Sequence, residues 1–201
     1  MVLCVEMVYI HVMILSHDAV FDAIINGFVV PQRSSGATTS NVLTLIWLGE
    51  HADCMFLRQS LTEALKQCKT YRASMTPRGH GNYIPALSLL QVYLNEDADV
   101  GQLTQVLFFT DGWPSDRPPP GFGSNSDKVC NLIVEATINC CSKILSSGSF
   151  KFHAVGSGQD EFAVLKEMTQ CLPKGVGYIF GKRKYHHEHY AIQWSRSRHV
   201  N

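Results

Sequence analysis

Short runs of β-forming apolar residues alternate along this chain with stretches whose apolar residues recur at helical spacing, and that alternation restricts the folds open to it. The apolar runs are Val2 to Val8, NVLTLIWLG, ADCMFL, QVLFFTDG, FKFHAVGSG and GVGYIF. After the first, Val20, Ala23, Ile24, Gly27 and Phe28 mark an amphipathic helix that Ser16 can cap, and Pro31 closes it. Ser60-Leu61-Thr62-Glu63 reads as a capping box that opens a helix with Leu61, Ala64, Leu65 and Cys68 inward. A glycine turn, PRGHGN, leads into a helix with Tyr83, Leu87, Leu90 and Leu94 inward; Pro85 is tolerated in its first turn. Asp127 caps the next helix (Val129, Leu132, Ile133, Ala136, Cys140), and Asp160 opens the last (Phe162, Leu165, Met168, Leu172).

Only the turn Gly49–His51 separates NVLTLIWLG from ADCMFL, so those two strands pair antiparallel. Most other strands follow a helix, which demands parallel pairing with helices on both faces. The expected fold is therefore α/β, a doubly wound, mostly parallel sheet. Ligands of such sheets bind beyond the carboxyl ends of the strands. That directs attention to the loops after Glu6, Arg78, Thr110 and Val155.

A length of 201 residues fits about one domain at ~150 residues each. An apolar fraction of 45% excludes disorder, collagen-like repeats and coiled coil. With 17 basic and 17 acidic residues there is no surplus for neutralising phosphates, so no nucleic-acid partner is expected. The charge is uneven, because residues 182–201 hold five basic side chains and one acid, Glu188. We read 1–181 as the domain and 182–201 as a basic, histidine-containing tail. His186, His187 and His189 in that tail could share a transition metal, but a solvated polar tail is the plainer reading. Weak contact of the tail with acidic partners or anionic lipid is a further option.

Seven cysteines without C-x-x-C spacing lie mostly in apolar segments, the pattern of a reducing, cytoplasmic setting rather than a disulfide scaffold. The opening run MVLCVEMVYIHVMIL lacks a basic leader, carries Glu6 and His11, and has no small-residue cleavage site. It is also too short to span a bilayer, so no transmembrane segment is expected. We read it as a buried strand with its continuation, with a secreted chain as the alternative.

The strongest local signal is FFTDGWPSD. An aspartate at the carboxyl end of a central strand, followed by glycine, suits a hard divalent cation. It equally suits an Asx bond that closes the turn. Together with the order of elements, VLFFTDG, GNYIPALSLL, VLTLIWLGEHADCMF and FHAVGSGQDEFAVLKEM resemble the von Willebrand factor A-type (vWA) domain over nearly all of residues 2–181. The resemblance implies a six-stranded sheet with one antiparallel edge strand. It also implies a metal-ion-dependent adhesion site, in which a partner's carboxylate completes the octahedron of Mg²⁺ or Mn²⁺.

Carried over residue by residue, the aspartate of that site's T-D-G turn is Asp111. The D-x-S-x-S segment looks like Glu6-Met7-Val8-Tyr9-Ile10, and the threonine position looks like Gly81, so three hydroxyls are missing. Mg²⁺ tolerates poor oxygen geometry badly. Asp111 and Glu6 are then the remaining candidate ligands of a degenerate site, with Asn82 and waters to fill in, and no cofactor is expected. Without a metal, the same face can still dock a protein through Trp113, Asn82, Ser115 and Asp116; tryptophan is a favoured interface anchor. Alternatively Trp113 folds back over the sheet end.

The leading reading is a non-catalytic protein-interaction module, because no acid–base pair, triad or phosphate cradle converges on the strand ends. The alternative is a phosphohydrolase or nucleotide-binding enzyme using Asp111. Against it, position 113 is Trp rather than a second carboxylate, and Gly156-Ser157-Gly158 matches neither a dinucleotide fingerprint nor G-x-S-x-G. A third reading is a divergent domain with no ligand of its own.

Overall fold

The apolar runs assemble side by side into one sheet. The computed structural model describes residues 8–14, 41–74, 81–100, 103–110, 114–117, 126–146, 150–157, 162–173, 175–182 and 189–195. In chain order the elements are β1 (Val8–Ile14), β2 (Val42–Leu48), β3 (Ala52–Ser60), α1 (Leu61–Ser74), α2 (Tyr83–Ala98), β4 (Leu103–Thr110), α3 (Ser126–Ser146), β5 (Phe150–Ser157), α4 (Ala163–Gln170), β6 (Gly175–Lys182) and β7 (His189–Ser195). The strand order is β3-β2-β1-β4-β5-β6-β7. The five inner strands run parallel, and β3 and β7 close the two edges antiparallel.

The doubly wound expectation holds, with three corrections. Among the described residues the sheet has seven strands rather than six. Its second antiparallel edge, β7, comes from within residues 182–201, the stretch read as a tail; Val176 to Lys182 pair in register with Ser195 to His189. The first described strand is Val8–Ile14, which runs on from where the expected strand ended. The opening run has no internal turn signal, so its sequence leaves the register open, and the sheet takes the one that aligns Tyr9 with Val42 and Ile14 with Phe109. Glu6 therefore precedes β1 in the chain instead of standing at its carboxyl end. The helix expected around Val20–Phe28 lies outside the described residues, as do Cys4 and Asp160.

Alternation along each inner strand splits the core into two layers. Ile46, Leu48, Val106, Phe108, Phe152 and Ala154 face the side covered by α2, α3 and α4, where Tyr83, Leu87, Leu90, Ile133 and Met168 meet them. Leu43, Leu45, Trp47, Leu107, Phe109 and Val155 face the other side, with Leu61, Ala64 and Cys68 of α1. Burial on both faces explains why β2 and β4 read as continuous apolar runs. The inward sets predicted for α1 and α2 are buried. Ser60 caps α1, its hydroxyl accepting the Glu63 amide at 3.3 Å.

The six described cysteines are free thiols; Cys68, Cys140 and Cys141 are buried in the core. Among the described helices one, over Asp127–Ser146 in α3, is long and apolar enough to cross a membrane by length and composition alone. Ile133, Cys140, Cys141 and Ile144 of that helix belong to the core, and Lys143 ties it to Asp99 at 2.8 Å, as in a helix of a packed domain.

β3 is irregular. Its register against β2 shifts between Leu43 and Leu45 and again between Leu45 and Ile46, and Arg58 has φ 46°. The Arg58 amide donates to Thr44 Oγ1 at 3.1 Å. Its guanidinium reaches across to α2, donating to Asp97 Oδ1 at 2.9 and 3.2 Å and to Glu96 Oε2 at 2.8 Å. Burial works against the Arg58 charge, but the hydrogen bonds and charges of Glu96 and Asp97 outweigh it and raise the pKa.

Candidate functional site

Parallel pairing puts the carboxyl ends of β1, β2, β4, β5 and β6 at one end of the sheet, where three short segments interlock. The first is the turn Gly49–His51 after β2. The second, Gly81–Asn82, enters α2, and the third, residues 114–117, follows β4. The Asn82 amide donates to the Gly49 carbonyl at 3.1 Å, and Asn82 Nδ2 donates to the Glu50 carbonyl at 3.1 Å. The Ser115 amide donates to the Gly81 carbonyl at 3.0 Å.

Asp116 completes the lock. Its Oδ2 accepts the Tyr83 amide at 2.7 Å and its Oδ1 the Ile84 amide at 3.0 Å. Both carboxylate oxygens thus satisfy first-turn amides of α2 that have no partner within the helix. Asn82 occupies the N-cap position but makes no side-chain cap bond, so the cap comes from a distant loop. Burial raises the Asp116 pKa, against the pull of the two amides toward the charged form. One turn into the sheet, Tyr83 donates from its hydroxyl to Thr110 Oγ1 at 2.8 Å, and both residues are fully buried.

At the end of β5 the backbone is crowded by a ring. A Cβ on Gly156 would stand 2.6 Å from Phe162, whose ring fills the space over the strand. Phe162 itself has φ 49° and is buried. A glycine is therefore required at 156 by close approach.

Asn82, Ser115 and Asp116 are brought together at the expected end of the sheet. Trp113, Asp111 and Glu6 lie outside the described residues. The role of Asp116 as a helix cap was not legible locally, because its two acceptors serve amides 33 and 32 residues away. The exposed side chains on this platform are those of Glu50, His51 and Arg117; Asn82, Ser115 and Asp116 are half-buried.

Asp116→Ala strips two amides of their acceptor and should cost about 1–2 kcal/mol in a urea titration. The pH dependence has a definite sign. A carboxyl whose folded pKa is raised contributes stability below its unfolded value that is lost as pH rises through the folded value. The penalty of Asp116→Ala should therefore grow as pH falls from neutrality toward 3.8.

Most of the described oxygens here already accept a hydrogen bond. Among the described residues, Asn82 Oδ1 is the side-chain oxygen of this platform that is buried without a hydrogen-bond partner. Both oxygens of Asp116 are committed to α2, and the Gly81 carbonyl is committed to Ser115. The described residues hold no group of three or more His, Cys, Asp or Glu side chains suited to a metal. The segment that follows β1 in the chain, Leu15-Ser16-His17-Asp18, lies outside the described residues.

The arrangement of the sheet matches solved vWA structures. The SpRpn10 VWA domain superposes with a TM-score of 0.55 at 8% identity, over 88% of this chain and 87% of that one. The chain has a vWA-like fold. A von Willebrand factor type A protein from Catenulispora acidiphila gives a TM-score of 0.52 at 14% identity, over 89% of this chain and 39% of that one. The pilus adhesin SpaC from Lactobacillus rhamnosus GG gives 0.57 at 14% identity, over 85% of this chain and 28% of that one. No family model matches the sequence, and no curated protein matches it. Identities this low carry the fold alone.

Proposed function

We propose that this vWA-like chain is a non-catalytic protein-interaction module. Its partner docks at the carboxyl end of the sheet, around Trp113, Asn82, Ser115 and Asp116, with weak or no dependence on Mg²⁺ or Mn²⁺. The observation that carries this reading is the interlock of three loops by Asp116 and Asn82, which makes a pre-formed platform there. A rigid platform lowers the ordering cost of binding. The same interlock commits both Asp116 oxygens to first-turn amides of α2, a structural role for that carboxylate. The reading also has support by analogy, since one similar structure is a pilus adhesin, a protein that binds.

Calorimetry with Mg²⁺ and with Mn²⁺ is expected to show no binding below the millimolar range. A micromolar affinity abolished by Asp111→Ala would restore the metal-dependent mechanism. A partner captured by the intact chain should be lost with Trp113→Ala, and retention of that partner would remove the platform from the interface. Hydrolysis of a phosphate ester that disappears with Asp111→Asn would replace this reading with an enzyme.

A further inference from the structure

Nine residues of β3 run beside seven of β2. Val42 pairs with Ser60 and Leu43 with Gln59, but Leu45 pairs with Phe56, Ile46 with Cys54 and Leu48 with Ala52. One extra residue of β3 therefore lies opposite the stretch Leu43 to Leu45, and a second opposite the step from Leu45 to Ile46. A side-chain hydrogen bond clamps each bulge. At the first, the amide of Arg58, held at φ 46°, donates to Thr44 Oγ1 at 3.1 Å. At the second, the Tyr71 hydroxyl of α1 donates to the Met55 carbonyl at 3.0 Å.

The same two strands have a second register. Continued without bulges from the Ser60 end, the ladder sets Leu57 opposite Leu45, Phe56 opposite Ile46, Met55 opposite Trp47 and Cys54 opposite Leu48. Each of those positions is apolar, so both layers of the core still receive apolar side chains, and Leu57, 38% exposed in the bulged register, turns inward. Strand faces alternate with period two, so the loss of one bulge alone would turn the rest of β3 inside out. The two bulges must go together, which makes the element two-state. Flattening both moves two residues of β3 into the turn, which grows from 49–51 to 49–53, three residues to five. Both are ordinary hairpin lengths. That turn belongs to the platform, where the Gly49 and Glu50 carbonyls accept the amide and the side chain of Asn82.

We propose that β3 is a register-shift device: its two clamped bulges hold the short turn, and their joint release lengthens the turn and frees Asn82. Regulation of docking by this device rests on the reading of the platform given above, whereas the shift itself does not. Amide exchange and cross-strand contacts, measured by NMR on the full chain without any partner, test the shift alone. Arg58→Gly and Arg58→Val both delete the guanidinium, but a β-branched residue resists φ 46° and glycine accepts it. Tyr71→Phe removes the other clamp and keeps the ring. The Asn82 amide should exchange about tenfold faster in Arg58→Val than in Arg58→Gly. It should also exchange faster in Tyr71→Phe than in the parent chain. In Arg58→Val and Tyr71→Phe, contacts of Leu48 with Cys54 should appear beside those with Ala52, while the Cys140 and Cys141 amides of α3 change far less. Should Arg58→Val fail to fold, Tyr71→Phe decides by the same contacts. Equal exchange in the two Arg58 variants, acceleration at Asn82 matched in α3, or a Tyr71→Phe chain in which Leu48 meets Ala52 alone overturns the proposal.

Discussion

Arg58→Ala is expected to destabilise the chain by about 3 kcal/mol in a denaturant titration, whereas Asp97→Asn costs about 1 kcal/mol. The asymmetry follows from burial. The Asp97 side chain is 1% exposed and the Arg58 side chain 27%. Removing the arginine takes two charge-assisted hydrogen bonds from a carboxylate held in the interior, but removing the carboxylate leaves a guanidinium that water and Glu96 can still serve. The loss falls at the low end for a broken buried pair, because water can reach into the space that Arg58 vacates.

A second substitution separates the ion pair from the backbone. Arg58 has φ 46°, a conformation that costs any residue with a Cβ about 1 kcal/mol and glycine almost nothing. Arg58→Gly should therefore be milder than Arg58→Ala by about 1 kcal/mol, although both delete the guanidinium. Equal penalties would mean that the left-handed turn in β3 is not retained in the variants. A double-mutant cycle with Asp97→Asn should return a coupling of at least ~1 kcal/mol, and additive losses would dismiss the pair as a determinant of stability.

The contrast between what was and was not legible in the sequence has physical causes. β2 and β4 were legible because each is bounded by polar or turn-forming residues and buried on both faces, so apolar run and strand coincide. The described helices were legible from spacing, down to the Ser60 cap. The bounds of β1 were not, because the run from Met1 to Leu15 has no internal turn signal and only its partners in the sheet fix the register. β7 follows a charged, histidine-rich stretch that masks its alternation, although Tyr190, Ile192 and Trp194 do recur with period two. At the site, the sequence placed Asn82, Ser115 and Asp116 near one another. It could not show that Asp116 caps a helix, since a cap supplied from another part of the chain has no local pattern.

Phe108→Ala is expected to cost about 3–5 kcal/mol, a large share of a domain's margin of roughly 5–15 kcal/mol. Phe108 is fully buried in β4, with its ring 4.8 Å from that of Tyr83 in an edge arrangement and 6.4 Å from that of Phe152. Truncation empties the centre of the layer between the sheet and α2, and helices anchored on three sides cannot collapse into the gap. Phe108→Leu keeps most of the volume and should cost less than half as much. The loss has a second readout. Tyr83 joins the sheet to the platform, its ring on Phe108, its hydroxyl on Thr110 and its amide on Asp116. With the ring's support removed, the Tyr83 and Ile84 amides should exchange with solvent faster than the amides of α3, at denaturant concentrations where the fold persists. Uniform acceleration across α2 and α3 would mean that the platform is held by its loops alone, and that the core beneath it sets the stability of the chain without shaping its binding surface.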